Sequence, residues 1–239
     1  MSKWIALGPV SGGFHACAMD GAALVSSVTA SDEKTALDGM ENAPVFRIGD
    51  GPPDKLPASI LPQAGVSHLG GLEQNKPADL MSAWVRLWIA GFLAQNDDWD
   101  GVVCAVHSDL THWVHISAGE AVSVQSSLTL RLMASLGGAE TAAQSALEDT
   151  IARPERLASH LCTAELSGDA EAITGHLIGA ELAATRPYWL GQQVAVIAEN
   201  PELYACSLRE QSVPVKFASP ENMIIPGLAA LATALGFAD

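Results

Sequence analysis

Three histidines, His107, His112 and His115, crowd one short stretch and are the first candidates for metal ligation. Side chains alternate along a strand, so His112 and His115 point to opposite faces. A zinc site also asks for cysteine or carboxylate partners at ligand spacing. The reading is therefore strand and loop histidines, with no metal assigned. Residues 8–13 read GPVSGG, and such loops can present backbone N–H groups to phosphate. This one lacks the Gly-Lys-Ser/Thr end and the following helix of a P-loop. On spacing alone it is a hairpin connection. Trp84 and Trp88 repeat at helical spacing with Leu80 and Gly91 and read as a core stripe. Asp97, Asp98 and Asp100 lack the calcium-loop spacing and read as a solvated helix end.

The elements that must position these residues follow from apolar periodicity. Runs at 3–7, 14–19 and 22–29, with a turn at Asp20-Gly21, predict a three-stranded meander. A helix over 34–40 and a strand over 44–48 complete the opening of a ribonuclease-H-like sheet. Residues 49–62 carry four prolines and two glycines and form a loop. A helix over 78–95 stops at Asn96-Asp97-Asp98. A second strand set follows at 101–106, 113–117 and 121–125, turning at Ala118-Gly119. The same opening thus occurs twice, which predicts two α/β lobes, 1–95 and 96–239, meeting at a cleft near residues 8–13 and 107–112. Further helices are expected over 128–136, 140–152 and 154–166. Another starts at an Asp169 N-cap and runs to Arg186, with Gly175, Gly179 and Ala183 forming a thin face. Strands at 193–198 and 213–218 flank a helix over 201–210, and an apolar helix over 226–237 closes the chain.

Composition narrows the class. Of 239 residues, 49% are hydrophobic and 16% charged, which excludes a disordered chain or a coiled coil. Twelve Lys and Arg against 27 Asp and Glu leave a net charge of −15. An acidic surface repels phosphate backbones and anionic lipids, so no nucleic acid and no membrane surface is expected as a partner. The apolar, uncharged run 223–238 contains Pro226 and Gly227 and is shorter than a membrane span. The opening MSKWIALGPV lacks the apolar core of a signal peptide. Cys17, Cys104, Cys162 and Cys206 lie far apart among apolar residues and read as buried reduced thiols. A cytoplasmic protein is the expectation.

The run Leu177-Ile178-Gly179-Ala180-Glu181, followed by Arg186 and Tyr188, resembles the C-terminal part of the 2-keto-3-deoxygalactonokinase family. The resemblance continues through Val194 to Ile197, Tyr204, Val213 and Gly227-Leu228. Upstream, Ile5-Ala6-Leu7, Ser11 and Ala16 fall on the family's first hairpin, and Trp113-Val114 fall on its second. The resemblance implies the two-lobed fold of sugar kinases and actin-like ATPases. It also implies transfer of the ATP γ-phosphate to a six-carbon keto-deoxy sugar acid, with ATP and Mg²⁺ as cofactors. A sugar acid or nucleotide is then the small-molecule partner, and a homo-oligomer stays open.

Four family motifs are altered. The first loop resembles D-W-G-S-T-N in the family, whose aspartate handles the metal–phosphate end of ATP. Here Gly8 stands in its place and only Ser11 is kept. The second loop resembles P-G-T-H-C-K-W, against His107-Ser108-Asp109-Leu110-Thr111-His112-Trp113 here. The third is an acidic R-G-E-E before a helix, the source of the general base; residues 80–95 contain no Asp or Glu. The fourth resembles A-G-T, where Ala198-Glu199-Asn200 stands and brings a carboxylate toward phosphates. By the resemblance, Ser11, Gly12, Gly13, Ser108 and Thr111 sit at the phosphate or nucleotide, and Asp109 is the substitute base. Three readings remain: a divergent kinase using Asp109 with metal held through Ser11, a non-catalytic sugar-acid- or nucleotide-binding regulatory protein, and a scaffold or subunit partner. The altered motifs point to an inherited fold without the kinase activity.

Overall fold

Successive apolar runs separated by glycine turns pair with their neighbours in the first sheet. In the computed structural model, which describes residues 2–238, β1 (Lys3–Val10), β2 (Gly13–Asp20) and β3 (Ala23–Ala30) form an antiparallel meander. Helix α1 (Glu33–Leu37) is capped by Asp32, whose carboxylate accepts from the Thr35 N–H at 3.0 Å. It leads to β4 (Val45–Ile48), which lies parallel to β1 with Ile5 opposite Val45. The proline-rich stretch that follows is not all loop. It contains β5 (Asp54–Lys55) and β6 (Ala58–Ser59), and β7 (His68–Leu69) then lies parallel to β4. The resulting sheet order is β3-β2-β1-β4-β7.

β8 (Leu72–Asn75) and β9 (Ala78–Met81) form a hairpin, with β5 on the other side of β8. The helix expected from residue 78 therefore begins later, as α2 (Ala83–Ala94), capped by Ser82. Residues 78–81 are taken by strand pairing, and Leu80 is 59% exposed instead of joining a helical core face. Arg86, on α2, is buried and holds the preceding segment together. Its guanidinium donates to the carbonyls of Ser59, Ile60 and Gly70 and to the Asp54 carboxylate, at 2.7–3.0 Å.

The second strand set repeats the first. β10 (Gly101–His107), β11 (Leu110–Ser117) and β12 (Glu120–Ser127) meander, and β13 (Val194–Ile197) lies parallel to β10. β14 (Val215–Ala218) lies parallel to β13, giving the order β14-β13-β10-β11-β12, with β6 on the start of β12. Between β12 and β13 run α3 (Thr129–Leu136), α4 (Gln144–Ala152), a 3-10 turn (Pro154–Arg156), α5 (Leu157–Ser167), α6 (Ala170–Ala184) and α7 (Arg186–Trp189). α3 ends on Gly137 at φ 72°, and Asp169 caps α6 by accepting from the Ala172 N–H. The glycine face of α6 meets α4 with no space between backbones. A β-carbon on Gly179 would stand 2.5 Å from the Leu147 carbonyl oxygen, and one on Gly175 2.5 Å from that of Ala143.

α8 (Glu202–Glu210) links β13 to β14, and α9 (Pro220–Leu235) closes the chain. α9 starts at Pro220, earlier than the expected Pro226, because Pro220 already fits a first helical turn. The chain divides into two compact units, and they are not two consecutive stretches. One comprises the chain up to Trp99, Ser117–Val122 and the chain from Pro220 on; the other comprises Asp100–Ile116 and Ser123–Ser219. The expected lobes, 1–95 and 96–239, put the closing helix in the second, whereas it belongs to the first unit. The reason is a reciprocal glycine contact. A β-carbon on Gly91 of α2 would lie 2.1 Å from the Met223 carbonyl oxygen, and one on Gly227 2.4 Å from that of Leu87. Among the described residues no helix is long and apolar enough to cross a membrane. Cys17 and Cys104 are buried thiols, but Cys162 and Cys206 are exposed, contrary to the expectation for all four.

Candidate functional site

The first hairpin is tighter than a loop over 8–13. β1 runs to Val10 and β2 starts at Gly13, so Ser11 and Gly12 alone make the turn, with Gly12 at φ 81°. Both are exposed, while Gly13 is half-buried against the end of β3. Gly8 is buried within β1. A β-carbon there would lie 2.4 Å from the Ile48 carbonyl oxygen and 3.0 Å from the Trp84 ring. Strand β4 and Trp84 occupy the room an aspartate side chain would need.

Trp84 stands in the first turn of α2, which carries no acidic residue. Its indole N–H donates to the Pro9 carbonyl at 2.6 Å, fastening α2 to the hairpin. The His15 ring packs edge-on to Trp84 at 6.0 Å, and its nitrogens meet the Thr29 hydroxyl at 2.7 Å and the Cys17 thiol at 3.2 Å. Burial lowers the His15 pKa and pushes the Cys17 thiol up to about 11. Neither charged form is favoured, so this trio is a packing cluster and not a nucleophile–base pair.

In the second unit the hairpin tip is Ser108-Asp109, with Ser108 at φ 59°. Asp109 is half-exposed and faces Arg131 of α3 in a two-pronged pair at 2.5 and 3.0 Å. The Arg131 guanidinium holds its carboxyl below the usual range. That favours the ionised form but weakens it as a proton acceptor. Thr111 departs from the phosphate-binding expectation. It is fully buried, and its hydroxyl shares a 2.9 Å hydrogen bond with Tyr204. Of the three candidates on this hairpin, two stay at the tip and the third turns into the core. His112 is buried too, at 2.7 Å from the Ser126 hydroxyl, while His115 is half-buried.

Beneath that hairpin lies a buried carboxylate, the one feature here that motif reading missed. Glu181 on α6 accepts from the Trp113 indole N–H at 2.7 Å and the Tyr204 hydroxyl at 2.9 Å. The hydroxyls of Thr129 and Thr111 also favour its charged form, yet burial outweighs these donors and raises its pKa. Trp113, Glu181 and Tyr204 each carried part of the family resemblance, and they meet at one point. A lone acid in the otherwise apolar run from Ile178 to Leu182 was the available signal.

Past the end of β13, a cavity of about 360 Å³ is lined by Glu140, Thr141, Gln144, Asn200, Glu202 and Ser207, among others. Asn200 brings to its edge the Ala198-Glu199-Asn200 stretch, the expected place of the fourth motif.

Residues 139–231 match the 2-keto-3-deoxy-galactonokinase family model. The match bears out the resemblance, and it covers the segment that holds Glu181, Tyr204 and the glycine face of α6. No curated protein matches the sequence significantly. Among solved structures, a Sinorhizobium meliloti protein assigned as a 2-dehydro-3-deoxygalactonokinase aligns with a TM-score of 0.80 at 17% identity, covering 97% of this chain and 98% of that one. The activator of the 2-hydroxyisocaproyl-CoA dehydratase from Clostridium difficile, solved with ADPNP bound, aligns at 0.50 and 11% identity, over 96% and 94% of the two chains. The fold is that of sugar kinases and actin-like ATPases. Such relatives imply ATP and a metal. At the two hairpins the residues present do not fit them: Gly8 has no space for a ligand side chain, Asp109 is neutralised by Arg131, and the Thr111 hydroxyl is turned inward. Among the described residues no three His, Cys, Asp or Glu side chains are placed to hold a metal ion.

Proposed function

We propose that this galactonokinase-like protein is a non-transferring member of the group, a small-molecule-binding protein with a regulatory or scaffolding role. The observation that carries the reading is Gly8. Mg²⁺ in kinases is bound through one or two carboxylates plus substrate phosphates, and here the first hairpin has neither the carboxylate nor space for one. The acid-free first turn of α2 supports it, because general-base catalysis contributes roughly 10²–10⁴-fold. The candidate ligand region is the cavity past β13, whose size suits a nucleoside or sugar. Its carboxylates, Glu140 and Glu202, disfavour a triphosphate.

The second reading keeps transfer alive with Asp109 as base. The same experiment separates them. The purified protein is assayed for ADP release with ATP, Mg²⁺ and 2-keto-3-deoxygalactonate, beside Asp109→Asn, and its melting is followed with each ligand. The expected result is no turnover above the variant and no shift with ATP–Mg²⁺. Ordinary kinase turnover that Asp109→Asn abolishes would establish the second reading.

A further inference from the structure

The cavity past β13 is built wholly from the second unit, by the chain entering α4 and by α8 with the residue before its cap. Its volume of about 360 Å³ is within the range of small-ligand sites. What it can hold follows from where the hydrogens of its lining side chains already go. The Thr141 hydroxyl donates to the Glu171 carboxylate at 2.6 Å, and the Gln144 amide donates to that of Glu148 at 2.9 Å. Ser207 is 4% exposed, and its hydroxyl donates to the Leu203 carbonyl at 2.8 Å. The Cys206 thiol donates to Glu202 at 3.1 Å.

A hydroxyl or thiol has one hydrogen, so Thr141, Cys206 and Ser207 have none left for a ligand, while their lone pairs stay open. The Gln144 side-chain carbonyl is open in the same way. Among the lining side chains only the amides of Gln144 and Asn200 still have N–H groups to offer. The lining therefore presents mostly acceptors.

Its charge has one sign. Lys, Arg and His are absent from the lining, and Glu140 is an exposed carboxylate with no ion pair among the described residues. The Cys206 thiol and the Arg209 guanidinium, each at 3.1 Å, hold the Glu202 carboxyl below the usual range. Arg209 stands outside the lining, over the ring of Phe217. The opposing feature is the pair of helix starts. Neither α4 nor α8 has a side-chain cap, and bare N–H groups favour an anion. Glu202, the first residue of α8, offsets one of these positive ends. At the other, the Ala143 N–H is taken by the Glu171 carbonyl at 2.9 Å, with Glu140 just before the helix.

We infer that the cavity takes a small polyol carrying a protonated amine, an amino sugar, with its ammonium group on Glu140 and its hydroxyl hydrogens on Thr141, Gln144 and Ser207. An ammonium group brings three hydrogens and a positive charge to a surface of acceptors and carboxylates, whereas a sugar acid or phosphate would set acceptors against acceptors. The inference rests on the small-molecule-binding reading above and narrows its ligand class.

The test titrates the whole chain with four probes, glucosamine, glucose, glucuronate and adenosine, and follows amide shifts in ¹H–¹⁵N spectra. Glucosamine should shift the side-chain amides of Gln144 and Asn200 and bind about tenfold more tightly than glucose, with glucuronate and adenosine weaker still. Added salt should weaken glucosamine binding and leave glucose unaffected. Glu140→Gln should cut glucosamine affinity about tenfold at an unchanged melting temperature, since Glu140 is exposed and unpaired. Absence of glucosamine shifts, equal or tighter binding of any other probe, or unchanged affinity in Glu140→Gln overturns the inference. Tight binding of glucose or adenosine instead would leave the non-transferring reading standing. ADP release with ATP, Mg²⁺ and 2-keto-3-deoxygalactonate tests that reading by itself, and turnover overturns it whichever probe binds.

Discussion

Single side chains set the local chemistry. Glu181 is enclosed by donors, and burial still raises its pKa. A carboxyl whose folded value is raised binds its proton more tightly in the native state. Its contribution to stability is therefore full below its ordinary 4.5 and is lost as pH rises toward the folded value. Glu181→Gln cannot titrate, so denaturation curves should show the variant gaining on the wild type as pH rises from about 4.5. Glu181→Ala leaves the Trp113 and Tyr204 donors without their acceptor, at about 1–3 kcal/mol for each buried group, and should be markedly destabilised at every pH. At Gly8 the expected outcome is equally specific. Gly8→Asp forces β1 away from β4, so it should lower stability by about 1–3 kcal/mol or more and should not create kinase activity. A stable, active Gly8→Asp would mean that β4 yields readily.

Among the elements, glycine faces decide which helices pair. α6 lies directly on α4, with Gly175 and Gly179 against its backbone. Gly179→Leu should cost on the order of 1–3 kcal/mol by overpacking, read as a lower denaturation midpoint. This thin face was legible in the sequence as small residues four apart, but its partner was not. Spacing shows that something approaches closely and gives no address. The same limit shows at residues 78–81, where local periodicity favoured helix and pairing with β8 took the backbone instead. His160 and His176, whose rings stand 4.7 Å apart, are a further case. They stand on different helices, and only the stacking of α5 on α6 makes them neighbours.

Across the whole molecule, the duplicated meander followed by parallel strands was visible as two repeats of apolar runs and turns. The return of the last helix was not. Truncation after Ser219 removes α9 and uncovers the face of α2 that carries Leu87 and Gly91. Proteolysis of that truncated chain should cut the segment up to Trp99 much faster than residues 123–219. Equal protection of both would show that α2 does not depend on α9.

By itself the sequence determined the two strand meanders, the positions of most helices, the acidic charge and the family pattern now matched over 139–231, because these depend on local spacing and on residue type. It also shows where the chain departs from the motifs of the family it resembles, with Gly8 in the first hairpin and no acid over residues 80–95. Tertiary structure alone decided that Gly8 has no room for one, that Thr111 faces inward, that Asp109 is held by Arg131, and that Glu181, Trp113 and Tyr204 share one buried bond network. Each of these depends on residues distant in the chain meeting within a few ångströms. Sequence pattern carries the period of a strand or helix, but not the identity of what packs against it.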